Sequence, residues 1–338
     1  MKFEKIISDE LDSCYAVGRI FDSSHDYLLV ASETENACFS YDLNNNLERS
    51  IVWDSVGGTM SIIQIPGTLD FLATQRFYPG FDAKECRIVR GFFEQAGRWR
   101  IEEVSLSPYL HRFDLIESEG QVYFVGCTIA NSKAFVEDWS DDGKVFVGNF
   151  NLEASKLEEL RELPIRLKKN HGYYNKENTN YSLITAVEGI YKLSYPSTNQ
   201  DWELTQLFDE ETSDIVQYDV NQDGVIENCI IQGFHGDRFR IFNEDFSEEF
   251  YAYPEPTPFG HALWSGELVG RPVFVFGWRA GKKHFILLRY EGGSWIEEII
   301  DSGVASSNCL AFTKDNHSYI FSANNGQNEV ALYQVKED

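Results

Sequence analysis

An all-β fold is what this sequence predicts: a seven-bladed β-propeller of four-stranded antiparallel blades, with an N-terminal strand closing the last blade, as a single domain over residues 1–338. Three observations predict it. Short runs rich in Val, Ile, Phe, Tyr and Thr alternate with turn residues along the whole chain, which is a strand signature. No long helical heptad pattern interrupts them. One run also recurs. "EKIISDELDSCYAV" (4–17) and "EEIIDSGVASSNCLAF" (297–312) share an acidic-flanked Ile-Ile, then Asp or Ser, a small residue, Cys and apolar alternation, and "RSIVWDSVGGTMSII" (49–63) is another member. Each reads as a strand leaving one unit, a short connection and the first strand of the next.

From these anchors the chain divides into seven units. Their inner strands begin near Cys14, Met60, His111, His171, Asp214, His261 and Cys309, at spacings of about 43–60 residues, the period of propeller blades. Second strands follow as "YLLVAS", "DFLATQ", "VYFVGCT", "YSLITAV", "NCIIQGF", "PVFVFGW" and "YIFSAN". Third strands include "ACFSYDL", "CRIVRGFF", "KVFVGNF", "RFRIFN", "HFILLRY" and "VALYQV". Fourth strands carry a Trp or an acidic–apolar alternation, as in "WRIEEVSL", "DWELTQLF" and "SWIEEII". The last unit lacks a fourth strand, and "FEKIIS" near the N-terminus supplies one, so that no open sheet edge is left. The segment 153–169, "EASKLEELRELPIRLKK", reads as a short helix or, because of Pro164, as a strand or loop in its second half. A six-bladed propeller and a tandem of β-sandwiches are the alternatives.

Composition narrows the function. The chain is 43% hydrophobic and 14% aromatic, has a formal net charge of −25 and no apolar run long enough for a transmembrane helix. A strongly acidic surface repels phosphate backbones and anionic membranes, so neither nucleic acid nor a membrane is expected as a partner. "MKFEKIISDELD" lacks the apolar core of a signal peptide. The six cysteines are scattered, without a CxxC, and read as free thiols of a cytoplasmic protein.

One local motif stands out. In "DVNQDGVIEN" (219–228), Asp219, Asn221 and Asp223 alternate and Gly224 follows, as a calcium loop begins. The twelfth position is Ile230, so an EF-hand is excluded. The flanks "SDIVQYD" and "ENCIIQGF" read as strands, making this a hairpin turn with oxygen ligands. Asp219, Asn221 and Asp223 offer side-chain oxygens, Val225 a carbonyl and Glu227 a closing carboxylate, a donor set suited to structural calcium. An ordinary Asp/Asn/Gly turn is the other reading. Strand–DxNxDG–strand resembles the FG-GAP and VCBS repeats, which build β-propellers.

The blade register places histidines together. His111, His171 and His261 fall at equivalent starts of inner strands, and His235 lies on a second-to-third-strand loop of the same face. Four of the seven histidines thus share one face. Neighbouring loops add Arg76, Tyr78, Lys133, Asp138, Trp139, Trp278 and Arg279, and Arg112 adjoins His111. An aromatic, basic, histidine-bearing pocket in an acidic protein suits an anionic, enolate-like or polyhydroxylated ligand. His111, His171, His261, His235, Arg76 and Tyr78 are the catalytic candidates. Arg112, Asp138, Trp139, Trp278 and Arg279 are candidates for substrate contact. The two Trp rings serve either as sugar platforms or as packing between blades.

Three chemistries fit the imidazoles: a second divalent metal on His111, His171 and His261; metal-free general acid–base work with Arg76 holding an oxyanion; or plain hydrogen bonds to neighbouring blades. The arrangement is similar to the propeller domain of fungal aldos-2-ulose dehydratases, which act on keto-sugars such as anhydrofructose. That resemblance implies a lyase, dehydratase or isomerase of a small carbohydrate. The alternatives are a non-catalytic propeller that binds a glycan or a protein, and a glycosidase using two of Asp138, Asp141, Asp142 and Asp214.

Overall fold

The computed structural model describes residues 1–118, 120–176, 179–198 and 200–337. Its regular structure is β-strand, with two 3-10 turns at Pro79–Phe81 and Asn325–Gln327 and no α-helix among the described residues. The chain forms two compact units, Leu11–His171 and Met1–Glu10 with Gly172–Asp338. Strand β1 (Lys2–Glu10) belongs to the second of these.

The unit Leu11–His171 contains three four-stranded antiparallel sheets. The first is β2 (Cys14–Phe21), β3 (Asp26–Ser32), β4 (Cys38–Asp42) and β5 (Glu48–Trp53). The second is β6 (Ile62–Gln64), β7 (Phe71–Gln75), β8 (Arg87–Gln95) and β9 (Arg98–Leu106). The third is β10 (Leu110–Ser118), β11 (Gln121–Thr128), β12 (Gly143–Asn151) and β13 (Lys156–Leu167). The other unit contains four. They are β14 (Gly172–Asn175), β15 (Tyr181–Ala186), β16 (Gly189–Ser194) and β17 (Glu203–Phe208); β18 (Thr212–Tyr218), β19 (Glu227–Gln232), β20 (Arg238–Phe242) and β21 (Glu249–Ala252); β22 (Gly260–Leu268), β23 (Arg271–Trp278), β24 (Phe285–Glu291) and β25 (Ser294–Asp301); and β26 (Asn308–Lys314), β27 (His317–Asn324) and β28 (Glu329–Lys336) completed by β1.

Seven sheets of this order rule out six blades and a sandwich tandem. Segment 153–169 is the one element whose reading was open, and it is strand β13, outermost in its sheet. Its backbone takes a positive φ at Glu159 and the pairing with β12 shifts register twice. These irregularities hide the period-2 alternation that marks a strand.

The first strands of successive sheets lie against one another, β2 on β6 and β6 on β10 in one unit, and β14 on β18, β18 on β22 and β22 on β26 in the other. Second strands are covered on both faces. β3 and β7 are buried at every residue, which is why they read as unbroken apolar runs. Outer strands such as β9 and β25 keep charged residues in solvent. Between sheets the core is aromatic: Trp99 meets the rings of Tyr27, Phe71 and Phe93 edge-on at 5.2–5.8 Å. All six cysteines are free thiols, five of them buried.

β1 is held by more than its ladder with β28. Lys5 Nζ reaches Asp301 at 2.8 Å and Glu329 at 2.9 Å; Tyr333 Oη donates to Asp301, and Asn324 Nδ2 to Glu329. Burial opposes all three charges. The hydrogen bonds outweigh it, raising the Lys5 pKa and lowering those of Asp301 and Glu329. The stabilisation is therefore present above the ordinary carboxylate range and lost as pH falls through the lowered values. Lys5→Met should cost about 1–2 kcal/mol at neutral pH, seen as a lower urea midpoint, and should flatten the acid limb of the stability curve. An unchanged midpoint would mean that the β1–β28 ladder alone secures the strand.

Candidate functional site

Six of the seven first strands start in the same way. Two residues before the key position the backbone turns left-handed, at Ser13, Tyr109, Lys169, Phe259 and Ala305 (φ +50 to +61°), and at Gly58 (φ +63°). Gly58 also sits so close to the next segment that a Cβ there would lie 2.5 Å from the Phe77 nitrogen. The residues two positions on are Tyr15, Met60, His111 and His171 in one unit and His261 and Ser307 in the other, with Ser213 at the matching place of β18. All seven are buried.

At four of them the ladder skips a residue. Leu110 pairs with Thr128 but Arg112 with Cys127, leaving His111 out of register. Tyr15, Ser213 and His261 are bypassed in the same way. A bulge of this kind re-aims the side chain. Here it aims at the next sheet. His111 Nδ1 donates to the His171 carbonyl at 3.0 Å, and His261 Nδ1 to the Ser307 carbonyl at 2.5 Å. A carbonyl only accepts, so Nδ1 carries the proton and a neutral ring has its lone pair on Nε2.

In the unit Leu11–His171, the His111 and His171 rings lie 4.5 Å apart. Phe77 packs edge-on to His111 at 5.4 Å and contacts Phe81, which contacts Trp139 at 5.0 Å. Lys133 lies over the Trp139 ring at 3.3 Å, and Lys169 is 5.6 Å from the same ring. The other unit has a second group. The His235 and His261 rings stack at 5.4 Å, His235 rests on Phe234 and Phe259, and Arg279 covers Phe259 at 5.0 Å while donating to Asn325. The His235 N–H donates to Ser213 Oγ at 3.2 Å. Each unit therefore brings two of the four candidate histidines together.

The remaining candidates separate. Arg76, held at φ +62°, makes no side-chain hydrogen bond or ion pair among the described residues and adjoins the Phe77 that touches His111. Tyr78 reaches towards a neighbouring segment. Its hydroxyl donates to the Val56 carbonyl, and burial pushes its pKa up. Arg112 donates to the Met60 carbonyl and spans towards Tyr15, a bond between sheets. Asp138 accepts from the Ser140 hydroxyl and from the backbone of Ala134 and Ser140, which pull its pKa down to about 2, so it shapes its own loop. Trp278 is 1% exposed against Phe276, Tyr253 and His284 and offers no platform to a sugar; the expectation of a stacking role is overturned by its burial. Trp139 is half-exposed. Phe77, Phe81, Tyr109 and Lys133 complete the neighbourhood in the unit Leu11–His171, and Phe259 the one in the other unit. The aromatic two residues before His111 and before His261 was the available signal for Tyr109 and Phe259.

The 219–227 turn lies beyond the far end of β18 from Ser213. Asp219 accepts from the N–H groups of Asp223 and Gly224, and Asn221 Nδ2 donates to Asp223 and Glu227. Glu227 is 4% exposed. Burial pushes its pKa up to about 7; Asp223 and Asp219 add to the shift, and the Val220 N–H opposes it.

No family model matches the chain, and no curated protein matches its sequence. Solved structures do. The WD40 β-propeller domain of Doa1 aligns over 99% of this chain and 98% of its own at 12% identity, with a TM-score of 0.63. A glucose dehydrogenase aligns over the whole of both chains at 11% identity, with a TM-score of 0.49. With seven four-stranded antiparallel sheets, the fold is a seven-bladed β-propeller.

Glu227 binds its proton more tightly folded than unfolded, so stability should fall as pH rises from about 4.5 to about 7. Melting temperatures across that window, without added divalent ions, should show this slope, and Glu227→Gln should remove it. An identical slope in the variant would assign it to other groups.

Proposed function

We propose that this propeller acts on a small, polyhydroxylated carbonyl compound of the keto-sugar class, as a lyase, dehydratase or isomerase using imidazole acid–base chemistry. The observation that supports this reading most is the locked tautomer. His111 and His261 spend Nδ1 on a neighbouring sheet, which orients each ring and leaves Nε2 as the basic atom. Such a nitrogen takes the proton next to a carbonyl and returns it to the departing hydroxyl. In this reading Arg76, next in the chain to the Phe77 that contacts His111, holds the enolate oxygen there, and Arg279, over the Phe259 that contacts His235 and His261, does so at the other group. The acidic charge elsewhere disfavours nucleic acid and anionic membranes as partners, and a cytoplasmic site accords with six free thiols. No helix among the described residues is long and apolar enough to cross a membrane.

The test pairs turnover with folding. His111→Gln and His261→Gln should keep the melting temperature within a few degrees, while at least one lowers keto-sugar turnover by roughly 10²–10⁴-fold. Full activity in both would end the acid–base reading. A wild-type protein that binds glycans but turns none over would be a non-catalytic propeller.

Metal enters at two places. Two neutral imidazoles in each unit, His111 with His171 and His235 with His261, form donor sets that suit a divalent transition ion, which would polarise a carbonyl oxygen. The 219–227 turn is the candidate for structural calcium through Asp219, Asn221, Asp223, Glu227 and the Val225 carbonyl. Its specific support is a buried Glu227 whose charge two further carboxylates disfavour, a conflict that a bound cation relieves. Asn221 must first turn its Nδ2 away from the carboxylates. Calcium should raise the melting temperature at pH 7.5 and have little effect at pH 5, and Asp219→Ala should abolish the increase. Elemental analysis should find a second metal that His261→Ala loses and Asp219→Ala retains; calcium alone in all three proteins would leave the imidazoles metal-free.

A further inference from the structure

We infer that Lys133 is a carbonyl-condensing amine, whose Nζ forms an imine with a small aldehyde or ketone of the open-chain sugar class. The ligand class rests on the function proposed above; the amine itself rests on its own surroundings. Lys133 projects from the β11–β12 loop and is 6% exposed, and its Nζ has no hydrogen-bond partner among the described residues. It lies instead 3.3 Å from the Trp139 ring centre and 5.2 Å from that of Phe81. The ring faces compensate a cation in part. Three N–H donors without an oxygen acceptor still penalise the ammonium relative to the amine.

The charged groups around it do not reverse this balance. Burial holds the Lys133 pKa below the usual lysine value; Asp138 and Glu137 oppose that, and Lys169 adds to it. The Asp138 carboxylate is already engaged by Ala134 and Ser140. Asp141 is engaged too, accepting from Asn131 Nδ2 and Ser132 Oγ, which close the base of the loop. The Lys133 N–H donates to Tyr109 Oη, and Tyr109 precedes Leu110 and His111. The loop thus fixes the lysine backbone firmly and gives its amine no ion pair. Trp139 and Phe81 are themselves half-exposed, so one aromatic side chain separates the amine from solvent. A desolvated lysine of this kind presents its lone pair at a lower pH than an exposed lysine does.

The step balances without a redox partner. The Nζ lone pair adds to the carbonyl carbon, a proton passes from nitrogen to oxygen, and the carbinolamine loses one water to give the C=N bond. The protonated imine then acidifies the adjacent C–H, the proton that the proposed histidine chemistry removes.

Reductive trapping tests the assignment on the intact chain. The protein is treated at pH 7 with limiting glycolaldehyde and sodium cyanoborohydride, which supplies hydride to any imine, and the adducts are mapped by peptide mass. Lys133 should be labelled at least about tenfold faster than exposed Lys282 and Lys336, reflecting its larger neutral fraction. Trp139→Ala, which opens the cover, should keep the adduct at Lys133. Lys133→Arg should lose that adduct while keeping its melting temperature. A smaller preference, or labelling of Lys133 only after urea unfolding, would overturn the proposal and leave a packed cation. Labelling needs no turnover, so the two readings separate. An adduct at Lys133 in a protein inert on keto-sugars keeps this assignment and removes the catalytic one, and turnover without an adduct does the reverse.

Discussion

The backbone carbonyl at the start of each first strand is the constraint on which this architecture turns. At His111 and Ser213 a bulge takes the residue out of the strand ladder, His171 and Ser307 lie just ahead of their strands, and a buried carbonyl without a donor is costly. The donor comes from the preceding sheet: Ser61 Oγ for the His111 carbonyl, His111 Nδ1 for His171, Thr185 Oγ1 for Ser213, and His261 Nδ1 for Ser307. Sheets that meet face to face through apolar side chains could slide; a directed bond at one end fixes their register. Two of the four donors are imidazoles, so the same contact that sets the packing also sets a tautomer.

The same contact bears on packing and on the proposed chemistry. A hydroxyl, as at Ser61 or Thr185, satisfies a carbonyl with its single proton. An imidazole doing so has its tautomer fixed as well, and that tautomer is what the functional proposal uses. Around His111 the aromatic chain Phe77–Phe81–Trp139 supplies a low-dielectric wall, and that same wall desolvates Lys133. The two proposed chemistries would then share a physical origin, burial next to aromatic faces.

The acidic residues serve a different purpose. Most of the negative charge is on outer strands and turns, where it keeps the surface hydrated. The few carboxylates that are partly buried are assigned to structure: Asp301 and Glu329 hold β1, and Asp138 and Asp141 tie their own loop. Asp138 and Asp141 each accept hydrogen bonds from donors of their own loop. Glu227 differs, being buried with other acids beside it rather than a cation.

The sequence by itself determined the strands, their grouping into seven units and the closure of the last by the N-terminus. These depend on local alternation, turn residues and a repeat, all of which are read along the chain. It also placed His111, His171 and His261 at equivalent positions, since blade register is a counting problem. Tertiary structure decided what each side chain does there. Trp278 and Trp139 are both Trp residues near loops of the same type, yet one is sealed between sheets and the other half-exposed, because the neighbouring sheet covers only the first. Tyr78 and Arg112 looked like site residues and are spent on carbonyls of adjoining segments. The left-handed residue two positions before His111, His171 and His261, and the bulge at His111 and His261, leave no mark in composition, since Tyr, Lys and Phe all occupy that strained position. Lys133 looked like one basic loop residue among several. Only the folded loop removes its water, by laying Trp139 of the same loop and Phe81 of another segment against it.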